Sequence, residues 1–219
     1  MTKLELLISS IHRRGLYKTL RYVCYELAFD IRYGTDTGAE IGIYSPSEND
    51  IEGFIAPCQG VNPWIVNKCF NQLRLLNISF ERSTFLDIGS GKGRAMLIAE
   101  MVGFKKIIGV ELCSRLCDVA LKNFELCSKS NQNLRYVMHN QDAAYYVPPA
   151  DANVIFLYNP FGCKLVRKII DNLMESYDLV KRDIYVIYVN PVCAQAFIQA
   201  GFDKIAELGD EAIIYRIEA

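Results

Sequence analysis

Apolar residues recur at two different periods along this chain, and each period predicts a different kind of element. Within residues 3–33, Leu16, Leu20, Val23, Cys24 and Phe29 recur at helical spacing with Arg13, Arg14, Lys18 and Arg21 between them. Gly15 is expected to split this stretch into two helices. Tyr33, Gly34, Thr35, Asp36, Thr37 and Gly38 then form a run of turn formers and hydroxyls that fits no regular element, and loop character continues to Gly60. Asn62 reads as a helix N-cap with Pro63 at the first helical position, opening a helix to about Leu76 that carries Trp64, Val66, Phe70 and Leu73. From Phe85 onward, short apolar strands alternate with helices. Strands are expected over 85–88, 106–110, 134–138, 154–158 and 184–189, and helices over 92–102, 114–127, 164–177 and 191–200. Segments 202–208 and 212–217, joined by Gly209, Asp210 and Glu211, read as a hairpin. This alternation predicts an α/β domain, a mostly parallel sheet with helices on both faces and an antiparallel last strand. Two parts follow: residues 1–60, a helical extension with a lid-like loop, and residues 61–219, the α/β domain.

Composition changes this picture little. The 219 residues are 51% hydrophobic, enough for one compact core with an appendage. The formal net charge of −1 gives no support to wrapping a polyanion, although a local basic patch is compatible with it. The longest apolar runs fall well short of the roughly 20 residues needed to span a bilayer. Glu5 within the first apolar stretch, with His12, Arg13 and Arg14 after it, favours a helix over a signal peptide. Eight cysteines and two histidines contain no C-x-x-C pair, so no metal is expected. The thiols read mostly as small buried hydrophobes in a reducing cytoplasm.

The sharpest chemical signal is a strand ending at Asp87, then Gly89, Ser90, Gly91, Lys92 and Gly93, then a helix. Such a turn needs glycine for positive φ and for close approach of the backbone to a ligand. A dinucleotide fingerprint spaces its glycines G-x-G-x-x-G and presents a helix N-terminus to a pyrophosphate. Here the spacing is G-x-G-x-G with an acid just ahead. S-adenosylmethionine carries a sulfonium and an ammonium but no phosphate, so an acidic loop suits it. At the tip of the second strand, Glu111 can accept both hydrogens of a ribose diol, with Leu112 beside it. After the third strand, Asp142 can accept an adenine amino group while Ala143 donates its amide to the ring. The alternative role for Asp142 is a helix cap.

The segment 85–111 resembles motif I and the following acidic motif of class I S-adenosylmethionine-dependent methyltransferases, and residues 84–219 follow that family's order of elements. The resemblance covers roughly two thirds of the chain and is nearest to uncharacterised bacterial members. It implies a Rossmann-like seven-stranded sheet, with S-adenosyl-L-methionine as cofactor. Contacts to the methionine moiety would come from Asp87, Gly89, Ser90, Gly91 and Gly93, to ribose from Glu111 with Leu112, and to adenine from Asp142 and Ala143, and Asn159 at the fourth strand's tip is also expected on the cofactor. The wording of the glycine loop and of residues 33–37 resembles the bacterial members, and the glycine loop alone also resembles that of non-SET histone-lysine methyltransferases.

The fourth strand runs into Asn159, Pro160, Phe161 and Gly162, similar to the Asn-Pro-Pro-aromatic motif of enzymes that methylate planar amino nitrogens. There an Asn oxygen and the next carbonyl accept two N–H bonds, the lone pair turns toward the sulfonium, and an aromatic ring stacks on the planar group. One proline is missing here, so Asn159, Pro160 and Phe161 are either the acceptor clamp or a strand-end turn that caps the next helix. The acceptor is therefore open among small molecule, protein and RNA, with lysine, oxygen or carbon methylation as alternatives. A nicotinamide-dependent oxidoreductase is disfavoured by the glycine spacing. A catalytically silent nucleoside-binding module stays open.

Several lesser features carry two readings. Asn190 and Pro191 either line the acceptor pocket or start a helix. Tyr145 and Tyr146 either stack on adenine or pack. Lys92 and Arg94 are expected on a solvated face. Tyr33, Asp36, Thr37 and Tyr44 are candidates for a lid over the cofactor. The basic N-terminal helices are expected to pack by one amphipathic face, or to meet a substrate, a membrane surface or a partner subunit.

Overall fold

The computed structural model describes residues 8, 11–12, 15–38, 60–127, 136–158 and 161–219. Helix α1 (Leu16–Tyr33) is followed by α2 (Pro63–Leu75), whose start is fixed by Asn62. The Asn62 side chain accepts the Trp64 N–H at 2.9 Å and donates to the Tyr22 carbonyl at 3.1 Å, so one residue caps α2 and ties it to α1. The remaining elements alternate: β1 (Thr84–Ile88), α3 (Arg94–Met101), β2 (Lys106–Glu111), α4 (Ser114–Cys127), β3 (Tyr136–Asn140), β4 (Ala152–Tyr158), α5 (Cys163–Leu179), β5 (Ile184–Val189), α6 (Ala194–Gln199), β6 (Asp203–Glu207) and β7 (Ala212–Ile217).

The strands form one seven-stranded sheet in the order β3-β2-β1-β4-β5-β7-β6. All pairings from β3 to β5 are parallel, and β7 runs antiparallel to both β5 and β6. Every residue of β1 and of β5 is buried, as expected for central strands covered on both faces. Side chains alternate between two cores. Phe85, Ile107, Phe156 and Ile187 pack with Phe70 of α2 and Leu97 of α3, while Leu86, Ile108, Leu157 and Val186 pack with Ile169 and Leu173 of α5 and Phe197 of α6. The first core is strongly aromatic: Phe70, Phe80, Phe85 and Phe104 lie within 4.4–5.6 Å of one another by ring centroid in five pairs.

Strand order reverses between β1 and β4, so the chain leaves these two neighbours in opposite directions along the sheet. Such a switch point opens a crevice at the carboxyl ends of the strands, the usual ligand position in open α/β sheets. Helix α3 starts at Arg94, two residues later than expected, because Gly91 and Gly93 hold left-handed conformations. Helix α6 starts at Ala194, because Asn190 adopts a positive φ of 53° just beyond β5. One expectation about the thiols is overturned. Cys163 and Cys193 form a disulfide, with a Cα–Cα distance of 5.5 Å, between the segments following β4 and β5. Among the described free thiols, Cys69 and Cys117 are buried, Cys113 and Cys127 are half-buried and Cys24 is exposed. No helix among the described residues is long and apolar enough to cross a membrane.

Candidate active site

The glycine loop turns sharply after β1. The amides of Gly89 and Ser90 both donate to the Val110 carbonyl, at 2.8 and 3.0 Å, which pulls the loop over the tip of β2. Gly89, Gly91 and Gly93 have φ of 78°, 54° and 82°, a conformation that side chains disfavour, so the G-x-G-x-G spacing follows from the backbone path.

Glu111 stands at that tip. Its carboxylate accepts the Gly91 N–H through Oε2 and the Cys113 N–H through Oε1, both at 2.9 Å. Asn140, at the end of β3, donates to the carbonyls of Glu111 and Leu112 at 3.0 and 2.7 Å, holding the β2 tip from the other side. Leu112 itself is exposed. Asp87 is buried in the register between Gly109 of β2 and Phe156 of β4. Burial, reinforced by the nearby Glu111 charge, raises its pKa well above the ordinary carboxylate value. Loss of water and a second anion both disfavour its ionised form, and an arriving cation would reverse that penalty.

Asp142 follows β3. Its Oδ1 accepts the Ala144 N–H at 2.8 Å and caps the short turn Ala143–Tyr145, so the capping role is present. Buried Asn172 of α5 donates to the Ala144 carbonyl at 2.9 Å and fixes this turn against the helix. Tyr146 is a core residue with its ring against His139, whereas Tyr145 is exposed.

Lys92 and Arg94 are not on a solvated face. Both are buried, at 5% and 2% exposure. Lys92 Nζ meets Asp36 Oδ1 at 2.9 Å. Arg94 donates to Thr37 Oγ1 at 2.7 Å, Glu26 Oε1 at 3.0 Å, the Val61 carbonyl at 3.0 Å and Asp30 Oδ2 at 3.4 Å. Asp30 also accepts from the Thr35 hydroxyl and from the Thr37 amide and hydroxyl. Buried Asn123 of α4 exchanges two bonds with the Asp36 backbone and donates to the Lys92 carbonyl at 3.0 Å. The strap from Asp30 to Thr37 is thus bound directly to the glycine loop. Gly60 belongs to the same cluster, since a Cβ there would fall 2.5 Å from the Thr37 carbonyl and 2.7 Å from Arg94 Nη1. Of the lid candidates, Asp36 and Thr37 dock on the loop and Tyr33 packs against the first core, while Tyr44 lies outside the described residues.

Sequence reading missed Asp30, Asn123, Asn140 and Asn172 as supports. For Asn123 and Asn172 a signal existed: each is an amide within the apolar face of a helix, beside Phe124 and Leu173 respectively. At the acceptor rim, Asn159 and Pro160 lie outside the described residues, and Phe161 packs partly against the second core. Asn190, whose N–H donates to the Glu211 carbonyl at 2.7 Å, ends β5 beside that rim.

The strand order, with β7 inserted antiparallel between β5 and β6, and the acid-flanked glycine turn at the switch point decide the architecture. It is the class I methyltransferase fold. No family model matches the chain, and no curated protein matches it in sequence. Solved structures do match. A candidate RNA methyltransferase from Pyrococcus horikoshii superimposes with a TM-score of 0.57 at 16% identity, covering 85% of this chain and 92% of that one. A candidate methyltransferase from Escherichia coli gives 0.54 at 18% identity, covering 74% and 94%. Magnesium protoporphyrin IX methyltransferase from Synechocystis, solved with S-adenosylmethionine bound, gives 0.54 at 10% identity, covering 71% and 79%. At these identities the likeness establishes the class I fold.

Proposed function

We propose that this protein is an S-adenosylmethionine-dependent methyltransferase whose cofactor lies across the tips of β1 and β2. The carrying observation is the pairing of buried Asp87 with Glu111 around a left-handed glycine turn. Two acids suit a ligand with a sulfonium and an ammonium, and they oppose a pyrophosphate. Bound there, the cofactor would supply an electrophilic methyl group. Each Glu111 oxygen already accepts one amide and retains acceptor capacity for a ribose hydroxyl. Asp142 has a second oxygen for the adenine amino group beside the Ala143 amide, and Asp87, Gly89, Ser90, Gly91 and Gly93 would surround the methionine moiety.

The acceptor in this proposal is a planar amino nitrogen, oriented by Asn159 and Pro160 with Phe161 stacked beside it. Its support is the sequence at the tip of β4, the strand that shares the switch point with β1. Similar structures bear names with unlike acceptors, RNA for one and a porphyrin for another, so the fold itself selects none. Calorimetric titration with S-adenosylhomocysteine and with NAD tests the cofactor. Binding of the first is expected, and binding of NAD alone overturns the proposal. A methyl-transfer screen over nitrogen, oxygen and carbon acceptors tests the second part, and transfer to oxygen or carbon alone refutes the amino assignment.

A further inference from the structure

Helix α1 turns one side to the domain and carries a second, apolar side about 120° round the helix that is exposed. Its inner side carries buried Thr19 and Phe29 and half-buried Tyr22, Glu26, Asp30 and Tyr33. Its outer side carries Leu16, Tyr17, Leu20, Leu27 and Ile31, which are 53–81% exposed. At about 100° per residue, Leu16, Leu20, Leu27 and Ile31 fall within an arc of roughly 60°. They form one stripe running the length of the helix. A packing helix has no use for it, and contiguous exposed apolar surface of this kind marks an interaction site.

Charge identifies the occupant. Exposed Arg21 and Arg32 lie together on one flank of α1, beyond Tyr17 from the stripe, with their guanidiniums over the rings of Trp64 of α2 and Tyr33 of α1. The two acids of the helix, Glu26 and Asp30, both turn inward to Arg94 at 3.0 and 3.4 Å. Residues 1–33 contain six basic residues (Lys3, Arg13, Arg14, Lys18, Arg21, Arg32) against three acids (Glu5, Glu26, Asp30), leaving eighteen basic against twenty-two acidic in the rest. The chain is therefore polarised, with a cationic amphipathic end and an anionic body. Helix-to-helix pairing with a second copy is opposed by charge, because the like-charged flanks of the two α1 helices would face each other. The stripe, ~24 Å long and ~10 Å wide, also offers on the order of 240 Å², against roughly 800 Å² per partner in a standard interface.

We propose that α1 is an interfacial helix that lays its Leu16–Ile31 stripe on an anionic lipid surface, with Arg21 and Arg32 at the headgroups. An amphipathic helix with apolar side chains on one side and basic residues at its margin binds in this way, in the plane of the interface. The anionic body is repelled by the same surface, so the protein sits on α1.

Flotation of the full chain with phosphatidylcholine vesicles, with and without phosphatidylserine, tests this independently of the cofactor assignment. Binding should require phosphatidylserine and weaken with salt. The double variant Arg21→Gln/Arg32→Gln should lose about thirtyfold in partitioning. Leu20→Glu/Ile31→Glu should abolish binding while circular dichroism stays unchanged, as both sites are exposed. Equal binding to both vesicle types, or none to either, overturns the proposal. So does a dimer in sedimentation that Leu20→Glu/Ile31→Glu disperses, which would make a second copy the occupant.

Discussion

Asp87 sits between two packing residues of β1, Leu86 and Ile88, at a depth where a carboxylate has no structural advantage. Its raised pKa means that the native state holds a proton which the unfolded chain releases near the ordinary value of 3.8. Native stability therefore falls as pH rises from that value through the folded-state pKa. Asp87→Asn removes the ionisation. The variant should melt higher than the parent at neutral pH, by about 2–4 °C for each kcal/mol recovered, and the difference should vanish in acid, where both states are protonated. Its affinity for S-adenosylhomocysteine should fall. Calorimetric scans across pH, paired with titrations, check both parts, and a variant that melts lower at neutral pH refutes the account. The Glu111 carboxylate accepts the amides of Gly91 and Cys113. Glu111→Ala should weaken S-adenosylhomocysteine by about 1–3 kcal/mol, through lost charged hydrogen bonds and a loosened loop. An unchanged dissociation constant would remove Glu111 from the site. Both acids were legible in the sequence, Asp87 because it lies just ahead of the glycine turn and Glu111 because it ends the next strand. The cap at Asp142 was legible as an alternative, and its observed bond to Ala144 shows that one oxygen serves the backbone.

At the scale of elements, the strap from Asp30 to Thr37 joins the N-terminal helix to the cofactor loop. The hydroxyl-rich run 33–38 announced itself as an unusual loop, but its docking partners did not. Arg94 meets Thr37, Asp30 and Glu26 across 57, 64 and 68 residues of sequence, and Lys92 meets Asp36 across 56. Charged residues opening a helix are ordinarily solvated, and no local period encodes an ion pair at such range, so Lys92 and Arg94 read as surface. Asp30→Ala deletes the acceptor shared by Thr35, Thr37 and Arg94. With the Asp30 side chain 21% exposed, the cost should be about 1–3 kcal/mol of stability. S-adenosylhomocysteine affinity should drop with it, because the glycine loop loses a tether. The protein's one tryptophan, Trp64, lies under Arg21 of α1 at 4.7 Å, so its fluorescence reports detachment of the helix. Asp178→Ala, which breaks an exposed pair with Lys181, is the control. Equal effects of the two substitutions on affinity and fluorescence would show that the strap does not position the loop.

Over the whole molecule, the order of strands and helices was readable because each strand covered on both faces is a short apolar run bounded by turn residues. Central β1 and β5 illustrate this. Two helix starts shifted where backbone conformation, not hydrophobicity, starts the helix, at Gly93 and Asn190, and β3 ends two residues later than expected, at Asn140. The disulfide was not readable, since Cys163 and Cys193 stand 30 residues apart without a pairing pattern. It arises from topology: β4 and β5 are parallel neighbours, so the segments leaving their tips start side by side. Closing a loop of that length restricts the unfolded chain by roughly 3–4 kcal/mol in the loop-entropy picture. Reductant should therefore lower the denaturation midpoint, and Cys163→Ser should reproduce the reduced parent and show no further response. In a reducing cytoplasm the pair would stand mainly as thiols. S-adenosylhomocysteine affinity should change little on reduction, because Glu111 and the glycine loop lie across the switch point on β1 and β2, away from the bonded segments. A midpoint indifferent to reductant would mean that the bond does not form in solution. A large loss of affinity on reduction would instead make the β4 and β5 rim part of the cofactor site.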